Sequence, residues 1–159
     1  METKQIFKRN KMLEEKFENS AKMILGLYFI GRDIEKDLKE GTDFLTFTIK
    51  PFKSAFRLRR FYAFLSWPNQ FTIRWSLPSG HKTEHQKIME GYVDYILYGF
   101  IDNKEEKVIK YFIGDLNVFR EINPKPIGIF DNDPPDSKLA VYKLSQLPPE
   151  FILKTVTQL

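Results

Sequence analysis

Short runs of alternating apolar and polar residues recur along the chain, and this pattern predicts a protein rich in strands. Apolar residues fall at alternate positions in residues 54–61 and 70–77, which predict two neighbouring strands. Similar runs over residues 43–50, 92–102 and 107–120 predict three more strands, and the last two are expected to form a hairpin. Because successive side chains on a strand point to opposite faces, each strand is expected to turn one face toward the core.

Two helices are predicted by a different spacing of the apolar residues. In residues 5–27 these residues recur three or four positions apart and leave a charged side, which is typical of an amphipathic helix. A shorter helix is predicted to begin at Glu84, where Thr83 can cap the first turn, and to end at Gly91. The segment between residues 61 and 70 is predicted to be a loop that carries several aromatic side chains.

These elements predict one α+β domain over residues 1–159, with a mixed central sheet, a leading N-terminal helix and a second helix after the basic strands. A chain of 159 residues suits a single hydrophobic core. Residues 124–159 are predicted to be a proline-rich C-terminal segment that wraps the domain, and its first part, up to residue 138, is expected to be irregular. Within that segment we expect a short strand around residues 127–130, a further strand, and a final helical turn after Pro149.

The composition narrows the range of functions. Hydrophobic residues make up 42% and charged residues 29% of the chain, which is typical of a folded globular protein. The absence of cysteine excludes disulfides, thiolate zinc sites and cysteine nucleophiles. No apolar run approaches the roughly 20 residues that a membrane helix needs, so we expect a cytoplasmic protein without a membrane segment. Fifteen Phe, seven Tyr and two Trp supply packed sheet faces and also surfaces on which bases can stack.

The charged residues are distributed unevenly along the chain. Between Asp43 and Glu84 there is no acidic residue, whereas seven residues of this acid-free run are basic. The seven are Lys50, Lys53, Arg57, Arg59, Arg60, Arg74 and Lys82. A merely solvated sheet face, which is the alternative, normally mixes both signs of charge. The acid-free run therefore predicts a surface that faces phosphate groups.

The acid-free run also supplies individual candidates for nucleic-acid contact. Trp67 or Tyr62 is predicted to contact a base or sugar, and four of the basic residues are predicted to contact phosphates. The four are Arg57, Arg59, Arg74 and Lys82. We expect nucleic acid as the partner, with DNA favoured over RNA. An acidic protein partner on the same surface is the alternative.

Asp43 opens one predicted strand, and Arg57-Leu58-Arg59 places two charged side chains on one face of the next. Together with the helix before and the helix after these strands, this order resembles the PD-(D/E)XK (restriction-endonuclease-like) nuclease superfamily over roughly Lys11 to Tyr98. In that superfamily, a strand-opening Asp and an acid-x-Lys pair hold magnesium, and the Lys positions the attacking water. The resemblance therefore implies a nuclease fold in which the acidic member of the pair is missing.

The same resemblance implies a magnesium-dependent endonuclease in which Asp43, Arg59 and Glu84 are catalytic. Arg59 stands for the superfamily lysine, but a guanidinium cannot coordinate a cation, so a second carboxylate is needed beside Asp43. Glu14 or Glu18 from the first helix, or Glu84 from the second, would complete the metal site. The alternative is a non-catalytic nucleic-acid-binding or assembly module on a degenerate nuclease fold.

Overall fold

A computed structural model describes residues 11–13, 15–26, 52–77, 80–132 and 137–157 of the chain. Within these residues it contains four helices, seven strands and two short 3-10 turns. The helices are α1 (helical residues 11–13 and 15–26), α2 (Phe61–Ser66), α3 (Glu84–Met89) and α4 (Leu116–Ile122). The strands are β1 (Ser54–Arg59), β2 (Gln70–Ser76), β3 (Tyr95–Ile101), β4 (Val108–Asp115), β5 (Gly128–Asp131), β6 (Lys138–Lys143) and β7 (Ile152–Thr157). The 3-10 turns are Leu144–Gln146 and Pro149–Phe151.

The strands form two sheets. Sheet A has the order β1-β3-β4-β7, with β1 parallel to β3 and the other neighbours antiparallel. Sheet B is antiparallel and has the order β2-β6-β5. The predicted α+β fold, with a mixed sheet, a leading helix and a second helix after the basic strands, is confirmed. The strands divide between two sheets because β2, which follows β1 in the chain, pairs with β6 instead of joining β1.

Sheet A separates two packing layers. On one face, α1 buries Ala21 and Leu25 against Leu97 and Ile113 of the central strands. On the other face, β3 and β4 pack against sheet B and α4. The leading helix and sheet B therefore lie on opposite sides of sheet A.

The layer between the two sheets is built around Phe71 of β2, which is fully buried. Its ring lies 5.4–6.0 Å, centroid to centroid, from five other aromatic rings. These belong to Tyr98, Phe112, Phe119, Tyr142 and Phe151. Much of the aromatic content of the sequence is therefore core, and only the exposed rings remain as candidates for stacking on a ligand.

The segment that joins β1 to β2 is a helix, not the predicted loop. Residues Phe61–Ser66 form α2, with Ala63 as its buried residue. One turn and a half of helix is too short to show a periodic apolar pattern, and its aromatic residues favour strand on propensity. The helix begins where β1 ends, because Arg60 has extended backbone angles and its carbonyl accepts a hydrogen bond from the Ala63 N–H at 2.9 Å.

Residues 107–120, predicted as one long strand, divide into β4 and α4. Asp115 makes the change, because its carboxylate accepts a hydrogen bond from the Asn117 N–H at 2.8 Å and so caps α4. The carboxylate of Asp94 also accepts a hydrogen bond from the backbone, from the Lys53 N–H at 2.9 Å. Backbone amides therefore satisfy both carboxylates, and neither forms an ion pair with an arginine among the described residues.

Residues 124–159 contribute a strand to sheet A and two strands to sheet B. Within them β6 is the central strand of sheet B, and β7 pairs with β4 in sheet A. The strand predicted near residues 127–130 and the turn after Pro149 are both present as β5 and Pro149–Phe151. The prediction lacked β7, because its alternating pattern is short and follows directly on the proline turn.

Two predicted elements lie outside the described residues in whole or in part: the strand at residues 43–50 and the start of the helix at residues 5–10. Across the part of the chain that the structure does describe, no helix is long and apolar enough to cross a membrane.

Candidate nucleic-acid interface

Arg57 and Arg59 lie on the face of β1 that is turned away from α1. The intervening residues Phe56 and Leu58 pack beneath α1, with Leu58 in the same cluster as Phe17. This alternation was predicted from the sequence, although Phe56 and Leu58 are half-buried and not fully buried. The two arginines therefore point to the same side of sheet A, where they meet different neighbours.

Arg57 is paired with a carboxylate. Its guanidinium Nη1 donates to Oε2 of Glu84, and the same oxygen accepts from the backbone N–H of Arg74 at 2.9 Å. The side chains of Arg57 and Glu84 are only 13% and 24% exposed. Thr83 places Glu84 at this point, because its side chain and that of Gln86 form a reciprocal capping box at the start of α3. This ion pair therefore ties β1, β2 and α3 together.

Lys82 lies at the outer edge of the same region. Its ammonium donates to Glu90 Oε2 at 2.5 Å and lies 5.0 Å from the centroid of the Tyr92 ring. The hydrogen bond to Glu90 raises the pKa of Lys82. Lys82 lines a cavity of about 300 Å³ together with Arg57, Arg74 and Glu84. Charges of both signs therefore meet in this cavity.

Arg59 lines a separate cavity of about 440 Å³, which we call the Arg59 pocket. The described residues around it are Arg59, Ala63, Trp67, Gln70, Thr72, Tyr98, Phe100, Ile127, Phe130, Leu139 and Val141. None of them is acidic, and most of the lining is apolar. Three of the pocket's walls come from β1, α2 and the start of β2, all of which belong to the acid-free run.

The polar groups of the Arg59 pocket form a short chain of hydrogen bonds. Nη1 of Arg59 donates to Oγ1 of Thr72 at 3.4 Å, and that oxygen lies 3.3 Å from the Tyr98 hydroxyl. Thr72 and Tyr98 are buried, whereas Arg59 is half-buried. Within the described ranges, no carboxylate forms an ion pair with Arg59. Its guanidinium therefore keeps donors for an anionic ligand.

Two aromatic side chains at the pocket, Trp67 and Phe130, are 48% and 58% exposed. The backbone holds Trp67 in place, because its N–H donates to the Ala63 carbonyl at 2.9 Å and its carbonyl accepts from the Gln70 N–H at 3.3 Å. Lys110 braces the same turn by donating to the Pro68 carbonyl at 2.9 Å. Trp67 is thus an exposed ring on a fixed turn, which is a suitable stacking platform.

The structure divides the predicted phosphate contacts between two cavities. It brings Arg59 and Trp67 together in the Arg59 pocket and places Arg57, Arg74 and Lys82 in the other. Three further residues of the pocket, Thr72, Tyr98 and Phe130, carry no signal in the sequence that marks them as site residues. The first two lie on predicted strands, and only the pairing of β2 and β3 with their separate sheets reveals that they face one cavity.

The carboxylates proposed for a magnesium site are not gathered by the described part of the fold. Asp43 and Glu14 lie outside it, and Glu84 is bound to Arg57. Glu18 is paired with Lys22 at 2.6 Å on α1, which packs on the far side of sheet A from the arginines. Among the residues that are described, no three acidic or histidine side chains are close enough to share a metal ion.

Comparisons with known proteins leave the family of this chain open. No protein-family model, no curated protein and no solved structure gives a significant match to the chain. The similarity to the PD-(D/E)XK nucleases stays a prediction from the sequence.

Proposed function

We propose that the protein binds nucleic acid through the Arg59 pocket. One observation supports this proposal most strongly: Arg59 and the exposed ring of Trp67 line the same cavity. The guanidinium of Arg59 is half-buried and has no carboxylate partner among the described residues. A guanidinium binds phosphate oxygens through two parallel hydrogen bonds. An exposed indole stacks on bases of any sequence. The pocket thus combines the two contacts that a nucleotide unit offers.

The charge pattern around the pocket supports a nucleic-acid partner over an acidic protein. The walls of the pocket from β1, α2 and β2 belong to the acid-free run, so a phosphate chain meets no acidic side chain on these elements. An acidic peptide would be attracted by the same charges, but its carboxylates would gain nothing from the mostly apolar interior of the pocket.

This proposal is one of binding and does not require cleavage. The nuclease hypothesis depends on Asp43, which the structure does not describe, and on Glu84, whose carboxylate already balances Arg57 and accepts from the Arg74 amide. The non-catalytic nucleic-acid-binding module is the hypothesis that we propose, because it needs no carboxylate and leaves the pairing of Glu84 with Arg57 in place.

A gel-shift assay on labelled DNA and RNA, each single-stranded and double-stranded and each with and without Mg²⁺, tests the proposal. We expect a shift with at least one of the four nucleic acids and no shortened product in the magnesium lanes. Polyglutamate of equal charge serves as a competitor and should not release the bound nucleic acid. Release by polyglutamate, or the absence of any shift, would favour an acidic protein partner instead.

A further inference from the structure

We infer that the Arg59 pocket accepts an unpaired nucleobase, so that the protein prefers single strands or frayed ends to duplex. This inference rests on the proposed function and adds the class of nucleic acid. The preference for an unpaired base is inferred from the positions of the apolar and polar groups in the pocket, and not only from the charge of the pocket.

The lining of the Arg59 pocket is suited to the face of a flat ring. Apart from its polar groups, the pocket is bounded by aromatic and aliphatic side chains such as Phe100, Leu139 and Val141. Its volume of about 440 Å³ falls within the range of roughly 300–1,000 Å³ that is usual for small-molecule sites. In a duplex the faces of the bases are stacked and only their edges are accessible in the grooves. A base can therefore use this lining only after it has left the stack.

The polar groups of the pocket can recognise the edge of such a base. The hydroxyls of Thr72 and Tyr98 lie in the buried part, and the Gln70 side chain also lines the cavity. Hydroxyls and an amide can both donate and accept hydrogen bonds, as the edges of all four bases require. Arg59 is half-buried and in contact with Thr72 at 3.4 Å, so its guanidinium adjoins this polar end and can bind the phosphate of the same nucleotide.

Trp67 provides the platform for the base next to the inserted one. It is 48% exposed and its backbone is held by hydrogen bonds on both sides. An exposed ring of this kind can stack only on a base whose face is free. Within a duplex the base faces are covered by neighbouring base pairs, except at the two ends. Both aromatic and apolar contacts of the site therefore select against paired bases.

The test measures binding by fluorescence anisotropy of three labelled DNAs: a single strand, its duplex, and the same single strand with abasic sugars in place of the bases. The abasic strand keeps every phosphate. We expect the affinity for the single strand to be at least about ten-fold higher than the affinity for the duplex or for the abasic strand. Equal affinity for all three would overturn the inference and leave the proposed function standing, whereas the absence of binding to these DNAs and also to the matching RNA single strand and duplex would overturn the proposed function itself.

Two variants localise the effect to the pocket. Val141→Phe narrows the cavity, and Trp67→Ala removes the platform. Each substitution should weaken binding of the single strand about ten-fold while changing that of the abasic strand little. Tyr92→Ala is the matched control, because Tyr92 is also an exposed ring, 49% accessible, but lies beside Lys82. If Val141→Phe fails to fold, Trp67→Ala still decides the question, since its side chain is at the surface. Unchanged discrimination between the two strands in Trp67→Ala would contradict the inference.

Competition with free nucleoside monophosphates separates a strand from a single nucleotide as the ligand. A strand should require a large molar excess of monophosphate for its release, because it contacts more than one group on the protein. Release at concentrations equal to those of the strand would show that a free nucleotide is the ligand, and would overturn the preference for strands.

Discussion

Arg57 on β1 and Glu84 at the start of α3 form a largely buried ion pair, and the same carboxylate oxygen accepts the backbone N–H of Arg74. One carboxylate thus joins two strands from different sheets to a helix. Arg59, two residues further along β1, has no such partner among the described residues. Two arginines that look equivalent in the sequence therefore have different roles, since Arg57 connects elements of the fold and Arg59 faces a cavity.

Glu84→Gln should lower the free energy of unfolding by about 1.5 to 3 kcal/mol, because it leaves the Arg57 guanidinium largely buried without a counter-charge. Urea denaturation measures the change. Glu90→Gln is the matched control, since Glu90 pairs with Lys82 at the surface, where such pairs contribute little. Equal effects of the two substitutions would show that the Arg57 pair has no special place in the fold.

Gly114→Ala should destabilise the protein by about 1 to 3 kcal/mol. A Cβ atom at Gly114 would lie 2.7 Å from the Phe151 ring and 3.1 Å from the Ile96 side chain, so the packed layer between the sheets has to shift. Gly26→Ala serves as the control, because a Cβ atom there would meet nothing within 4 Å and alanine favours helix. Thermal unfolding of both variants should show a loss for the first and no loss for the second.

His85 should make the stability depend on pH near neutrality. Its ring lies 4.3 Å from that of Trp75, centroid to centroid, and burial lowers its pKa below the ordinary value of 6.5. The unfolded chain then binds a proton near pH 6.5 that the folded protein does not bind until a lower pH. The free energy of unfolding should therefore keep its full value above pH 6.5 and decrease as the pH falls below 6.5.

The measurement for His85 compares urea unfolding at pH 7.5 and pH 5.5 in His85→Gln, in His81→Gln and in the parent. His81 is the other histidine of the chain and is exposed. The parent and His81→Gln should lose more stability at the lower pH than His85→Gln does. The same loss in all three proteins would assign the pH dependence to other groups.

Asp43→Asn tests the nuclease hypothesis that the sequence suggests. If the protein cleaves nucleic acid, this substitution should abolish magnesium-dependent turnover and leave the affinity for nucleic acid equal or higher, because a negative charge near the phosphates is removed. A turn aspartate would respond differently, since asparagine keeps its hydrogen bonds. Cleavage by the variant at the parental rate would remove Asp43 from the catalytic residues.

Local chemistry made part of this structure predictable. Thr83 and Gly91 predict the two ends of α3. The structure has the Thr83 side chain capping the helix and Gly91 with a positive φ of 78°. The alternation that set Arg57 and Arg59 opposite Leu58 also held. Such features depend on residues close in the chain, where the physical preference of one side chain decides the backbone.

The remaining features depend on contacts between distant segments. Thr72 and Phe130 line one cavity only because β2 and β5 both pair with β6. Glu84, proposed as a metal ligand from the sequence, meets Arg57 across 27 positions of the chain. A strand pattern fixes the face on which a side chain lies but not the strand it will pair with, so neither the pocket nor this ion pair could be read from the sequence.

The role of the Arg59 pocket is tested by the affinity of Arg59→Gln for a single-stranded oligonucleotide, measured over a range of salt concentrations. Arg59→Gln should bind all sequences more weakly, with the slope of log K against log salt reduced by about one, and should unfold in urea like the parent. Lys22→Gln loses the same charge on α1, on the far side of sheet A, and should bind like the parent. Parental affinity and slope in Arg59→Gln would contradict the assignment of the Arg59 pocket as the site of nucleic-acid binding.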